Sequence, residues 1–266
     1  MEATGGYGEE LASHLLDHGH VVSIVNPMQI RAFGQSELSR TKTDKADAHL
    51  IARFCQKMTP PAWDAPSEGE RRLRQLVRRR RALVEMRAQE RTRSKGPGTE
   101  NVRDSLLESI SFLDEQIERL DQRIQDTINH DDDLRGKRNL IESIAGIGPT
   151  TSSTLLAETP HIKTFASHKA LAAFAGVCPQ ERRSGTSVSS SRVTRIGNRE
   201  IRRVLYMAAL SALRCNPVIQ AFADRLRTSG KRPMEINVAV MRKLVVLVYG
   251  VLKNGQPFDP QWGLDG

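Results

Sequence analysis

Ser184 sits inside a cluster of arginines, a combination of residue types suited to phosphate chemistry. A serine hydroxyl is a poor nucleophile unless its charge is managed. Arg182, Arg183, Arg192 and Arg195 flank it, and such side chains can clamp a phosphodiester and stabilise a pentavalent transition state. From spacing alone, a loop serine beside arginines more often has a structural or phosphate-contacting role, and Ser187 is its nearest rival. Further on, Arg199, Arg202 and Arg203 fall in the first turn of a predicted helix. The macrodipole disfavours cations there and favours an anion, which fits phosphate lying above them. A second constellation is carboxylic: Asp44 and Asp47, three apart on a predicted helix, share a face. Such a pair can hold Mg2+, which takes oxygen ligands and keeps waters for work on phosphate. The competing reading is capping, since T-x-x-D is a helix-start pattern and acids there suit the dipole.

A third candidate lies in the run from Leu140 to Glu158, which fits a helix-hairpin-helix. Gly146-Ile147-Gly148 makes the turn and Pro149 starts the second helix. Gly146 and Gly148 would let the turn approach a DNA phosphate, bound by free N–H groups without reading sequence. A tight turn between packed helices remains the alternative.

Residues 1–64 read as alternating helix and strand. A helix over Glu9–His18 is followed by a short strand at Val21–Val25 and, after Asn26-Pro27, by a helix from Thr43 to Lys57. His14 and His18 share a helix face, but no third ligand is near and a surface reading is preferred. Pro60-Pro61 and Trp63 mark a linker. Residues 68–129 read as two long helices around Gly96-Pro97-Gly98, the second with a seam of Leu106, Ile110, Leu113, Ile117, Leu120 and Ile124. Arm one, 65–98, has 11 basic against 4 acidic residues, and 99–137 has 5 against 11. Opposite charge on adjacent arms predicts an antiparallel coiled-coil hairpin that neutralises part of its own arginine run; a dimeric coiled coil would use the same seam. Residues 138–266 read as all helical, with helices at Ser167–Ala175, Asn198–Arg214, Pro217–Thr228 and Met234–Lys253 and a loop at Pro179–Thr194.

The chain's 266 residues allow two modest domains. Its net charge of +9 is uneven: residues 138–266 hold 18 Lys and Arg against 8 Asp and Glu. That excess is the footprint of a nucleic-acid partner. Aromatic residues are only 5%, which disfavours a membrane-surface role, and no apolar run is long enough to span a bilayer. Cys55, Cys178 and Cys215 are widely spaced, against a zinc site or disulfide framework. A cytoplasmic location follows as the expectation.

Two patches carry a family resemblance. One comprises Pro179, Ser184, Gly185, Ser187, Gly197, Asn198 and the run Ile201 to Ala209; the other is EATGGY at Glu2 to Tyr7, then Asn26-Pro27 and TKTDKADA from Thr41. In this order they resemble bacterial insertion-sequence transposases of the DEDD class, the Piv/MooV-like group, over essentially the whole chain. The resemblance implies an α/β plus all-α fold. Residues 1–64 would be an incomplete RuvC-like, RNase H-type domain, 65–134 the hairpin, and 138–266 the helical transposase domain. It implies that Glu2, Asp44 and Asp47 are three of four catalytic acids binding Mg2+, with Lys42 typical of the motif. It also implies that Ser184 attacks DNA and forms a phosphoserine link. Partners implied are DNA, a second copy or more in a dimer or tetramer, and in related members a structured guide RNA.

The family's first acid lies upstream of EATG, and the sequence opens at EATG. The expectation is therefore an N-terminally truncated transposase with little or no catalysis. Two rivals are a non-catalytic DNA-binding remnant and a junction-resolving nuclease that uses only the RuvC-like domain.

Overall fold

Capping side chains set the starts of most helices. The computed structural model describes the chain except residues 4–6, 39–42, 98, 160, 185–187, 194–195 and 262–266. Tyr7, Lys163 and the strand residues 179–184 and 188–193 are described at the backbone alone. The described residues are mostly helical and divide into two units, Met1–Ala65 and Pro66–Gly266.

In the first unit, α1 (Tyr7–Asp17), α2 (Pro27–Ser36) and α3 (Asp44–Met58) accompany an extended segment. Asn26 caps α2 and places Pro27 at its first position, where no N–H is needed. Thr43 caps α3, its Oγ1 accepting from the Ala46 N–H at 3.2 Å. A small core joins Val25, Ile30, Leu50 and Phe54, with Phe33 edge-on to Phe54. The strand expected at Val21–Val25 is reduced to one parallel bridge between Glu2 and Val25. Val25 donates to the Met1 carbonyl and accepts from the Ala3 N–H, both at 2.9 Å. Val21 is 84% exposed, so this apolar run is not a fully buried strand. Trp63, expected in a linker, donates its N–H to the Val22 carbonyl at 2.6 Å and belongs to this unit.

The second unit starts with α4 (Glu68–Arg93) and α5 (Arg103–Asn129). Ser67 and Glu70 form a reciprocal capping box at the start of α4. The two helices pack antiparallel: Arg80 pairs with Asp121, and Arg87 and Arg91 with Asp114. Such half-exposed pairs set alignment more than they stabilise. Stability comes from Leu73, Leu76, Val77 and Leu83 buried in one core with Leu113, Ile117, Leu120 and Ile124, each contributing roughly 1.5–3 kcal/mol.

That core continues through α6 (Asp132–Glu142), α7 (Pro149–Glu158), α8 (His168–Phe174), α9 (Arg199–Cys215), α10 (Pro217–Thr228) and α11 (Pro233–Asn254). Ile201, Leu205, Ala208, Ala209 and Ala212 are the buried stripe of α9. Asn216, fully buried, caps α10 and donates from Nδ2 to the Ala145 carbonyl at 3.0 Å. The expectation of an all-helical 138–266 needs correction. Strands β1 (Pro179–Ser184) and β2 (Val188–Val193) pair antiparallel where the sequence suggested a loop. Serines between two valines read as loop composition because sheet preference depends on cross-strand partners.

Candidate functional site

Ser184 is the last residue of β1 and pairs with Val188, the first of β2. Arg183 pairs with Ser189, Arg182 with Ser190 and Arg192 with Gln180. Arg182, Arg183, Arg192 and Ser184 thus belong to one β-ribbon; their side chains, together with Arg195, lie outside the described residues.

The ribbon is clamped where it leaves the helical body. Gly176 (φ +69°) precedes it and Gly197 (φ +117°) follows it, and the two backbones nearly touch. A Cβ on Gly197 would come within 2.5 Å of the Gly176 Cα, so only glycine fits. The next residue, Asn198, donates its N–H to the Phe174 carbonyl at 2.7 Å. Its Oδ1 caps α9 by accepting from the N–H groups of Glu200 (2.8 Å) and Ile201 (3.1 Å). Its Nδ2 donates to Glu158 Oε2 at 3.0 Å.

Glu158 was not singled out by the sequence, although one signal was present. It ends α7, where the macrodipole disfavours an anion, so a buried acid there needs a partner. Arg78 of α4 supplies it with two parallel hydrogen bonds, Nε at 2.9 Å and Nη2 at 3.1 Å. Burial pushes the Glu158 carboxyl up, but Arg78, Asn198 and Arg74 together outweigh it and hold the carboxyl below its usual range. A depressed folded pKa contributes stability that is present above the unfolded value and is lost as pH falls through the folded one. Thermal unfolding between pH 7 and pH 3 should therefore lose less stability in Glu158→Gln than in the parent chain. Equal pH slopes for the two would contradict the ion pairing.

The arginines expected above the start of α9 divide three ways. Arg203 Nη1 pairs with Glu85 at 2.9 Å, and Arg202 Nη1 donates to the Gly176 carbonyl at 3.4 Å. Arg199 is exposed, with no ion pair among the described residues. Glu200 pairs with Arg81, so an acid and the Asn198 cap already meet the dipole at this helix start. Arg203 shares a cleft of about 250 Å3 with Arg78, Arg80, Arg81 and Thr150 at the start of α7.

The two glycines of the Gly146–Gly148 turn have different surroundings. Gly146 (φ +103°) packs against α9: a Cβ there would meet the Ala212 Cα and Cβ at 2.6 Å. Gly148 caps α7 and is exposed with Pro149 and Thr150, and a Cβ on it would meet nothing within 4 Å. Close approach to phosphate is open to Gly148 and its neighbours, while Gly146 serves helix packing.

Asp44 is exposed and Asp47 half-buried on the first turn of α3, and Glu2 is half-buried in its bridge to Val25. Among the described residues no group of three His, Cys, Asp or Glu converges to hold a metal ion. Asp44 and Asp47 are carboxylates on one turn of α3, the chemistry an oxygen-liganded ion requires, and the structure does not join Glu2 to them. Cys55, Cys178 and Cys215 are unpaired, and no described helix is long and apolar enough to cross a membrane.

Comparison with known proteins gives two family matches. Residues 138–224 match the transposase family of IS116, IS110 and IS902, and residues 1–96 match the DEDD transposase model of IS110. The pilin gene-inverting protein of Moraxella lacunata is 36% identical over 261 residues, covering 97% of this chain and 81% of the relative. A putative transposase of Sinorhizobium fredii is 25% identical, covering 97% and 73%. An uncharacterized 43.6 kDa protein of insertion element IS110 from Streptomyces coelicolor is 26% identical, covering 84% and 56%.

Proposed function

We propose a reaction from one premise: the chain belongs to the IS110/IS116 family of insertion-sequence transposases. The substrate is DNA and the reaction is phosphoryl transfer. Ser184 Oγ attacks a backbone phosphorus, the deoxyribose oxygen leaves, and the strand is held as a phosphoserine ester. Attack by a hydroxyl of another strand re-forms a phosphodiester and frees the serine. Arg182, Arg183, Arg192 and Arg195 neutralise the phosphate as its charge grows. Asp44 and Asp47 supply oxygen ligands for Mg2+, with Glu2 the third acid implied by the resemblance. When bound, Mg2+ orients an oxygen and neutralises charge. Gly148 with the start of α7, in helix-hairpin-helix fashion, and Arg199 hold the DNA backbone.

The observation that carries this reading is Ser184's place at the last pair of the ribbon, opposite Val188 and farthest from the clamped root. In this reading residues 1–64 are part of a RuvC-like fold, as the parallel Glu2–Val25 bridge and α1 to α3 support. The antiparallel α4–α5 pair acts as a coiled-coil hairpin. Assembly as a dimer or tetramer, and targeting by a structured RNA, follow from the resemblance alone.

One observation favours a second reading, a DNA-binding protein without catalysis: Glu2, Asp44 and Asp47 do not converge. A single assay separates them. The chain is incubated with duplexes carrying the element's ends, and products are resolved under denaturing conditions. Nicked strands and protein-linked DNA, both lost with EDTA, are expected from the transposase. Salt-dependent binding with neither product supports the second reading. Nicking without protein-linked DNA would identify a nuclease of the junction-resolving type.

A further inference from the structure

Glu158 lies in no proposed catalytic role, yet its contacts run to the base of the Ser184 ribbon. Its side chain is 5% exposed, its two oxygens are fixed by Arg78, and Oε2 also accepts from Asn198. Asn198 caps α9 and follows Gly197, whose backbone is pressed against Gly176 at the ribbon's other end. A chain of short contacts therefore leads from α4, through Glu158, to both ends of β1–β2. Arg74 adds a second tie from α4, its Nε donating to the Ala157 carbonyl at 3.0 Å. Two further ion pairs join the same helix to the start of α9: Arg81 with Glu200, and Glu85 with Arg203.

We infer that Glu158 is a positioning residue: through Asn198 it fixes the root of the Ser184 ribbon to α4, so that the arm and the nucleophile move as one body. The inference rests on Ser184 as the nucleophile for its consequence, but its mechanical part stands on the contacts alone. A half-buried Arg–carboxylate pair is not needed for net stability, since an apolar replacement can serve as well. Its effect is geometric. With both oxygens held by one rigid guanidinium, the third bond, from Asn198, can be made in one orientation only. Two glycines flank the ribbon's root, and a further side-chain contact there, from Arg202 to the Gly176 carbonyl, is longer at 3.4 Å.

The test exchanges donor and acceptor in the full chain. Asn198→Asp keeps a side chain that caps α9 but removes the donor and sets two carboxylates face to face. Glu158→Gln keeps an acceptor for Asn198 but loses the charge opposite Arg78. Combining them restores one donor, one acceptor and one negative charge beside Arg78. Backbone amide exchange is followed in β1–β2 and, as an internal reference, in α10 and α11. Asn198→Asp should speed exchange in the ribbon by roughly tenfold relative to the reference, as expected when a buried polar contact becomes unpaired. The double variant should recover most of the lost protection. Formation of protein-linked DNA should fall and recover in the same order.

Uniform acceleration of exchange in ribbon and reference would show a purely global effect and overturn the inference. So would a double variant no better than Asn198→Asp alone. If no variant, parent included, forms protein-linked DNA while the ribbon exchange pattern appears as expected, the positioning role stands and the assignment of Ser184 fails.

Discussion

Gly146→Ala should destabilise the second unit by about 3 kcal/mol, whereas Gly148→Ala should stay within about 1 kcal/mol of the parent. The two glycines flank one residue and look equivalent in sequence. Gly146 has φ +103°, which alone costs an L-residue roughly 1–2 kcal/mol. Its added methyl would also lie 2.6 Å from the Ala212 Cα and Cβ and 2.7 Å from the Ala212 nitrogen. Those atoms belong to the fully buried face of α9 and cannot move without opening the helix contact. Overpacking of this kind costs roughly 1–3 kcal/mol more. Gly148 is an exposed N-cap with φ −105° and open space where a Cβ would stand. Alanine there loses a few tenths in capping preference. For a unit of this size the first change corresponds to a fall in Tm of about 6–12 °C. DNA affinity should show the opposite pattern at temperatures where both variants are folded, because the Gly148 methyl occupies the approach to the start of α7. A Gly146→Ala chain as stable as the parent would remove the packing account. Unaltered DNA binding by Gly148→Ala would remove the phosphate role of this turn.

Most helices could be read from the sequence because their signals are local. Thr43, Ser167, Asn198 and Asn216-Pro217 each stand where a helix begins, and a side chain satisfies the first N–H groups. Asn26-Pro27, read as the end of a strand, instead caps α2, a helix the sequence reading did not place. What could not be read depended on distant partners. The Ser-rich segment after Ser187 pairs with β1 because Gly176 and Gly197 bring the two ends together, and neither glycine announces the other. Val21–Val25 has the composition of a buried strand, yet Val25 alone makes a bridge.

The arginine run of α4 shows where charge counting stops. Excess base on one arm and excess acid on the next pointed to neutralisation between the arms, which Arg80–Asp121 and Arg87–Asp114 supply. Counting could not foretell that Arg78 and Arg81, on the same helix, turn towards α7 and α9 to meet Glu158 and Glu200. The helix therefore has two charged faces with different duties. One aligns the hairpin, and the other ties it to the root of the Ser184 ribbon. The same helix pitch that allows this also explains why the candidate site was only half visible. Ser184 stands in a recognisable motif, whereas the side chains that hold its ribbon are spread over α4, α7 and α9.

Ser184→Ala should abolish protein-linked DNA, a loss of about a thousandfold or more, while leaving DNA affinity and its salt dependence unchanged. The methyl removes the only atom of that side chain able to form an ester with phosphorus, and no solvent hydroxyl can replace a covalent tether. Folding should be almost unaffected, since the substitution is small and lies at the end of β1, away from the clamp. Binding should persist because phosphate contacts, not the nucleophile, supply affinity. Arg199→Ala provides the contrast: it should reduce the slope of log affinity against log salt by about one, and weaken binding across sequences. Ser187→Ala, three residues further along the chain, should leave the covalent product intact. If Ser187→Ala rather than Ser184→Ala removes that product, Ser187 is the nucleophile and the assignment of Ser184 fails. If neither does, the arginines around Ser184 hold DNA without attacking it, and the chemistry must belong to the carboxylates of α3.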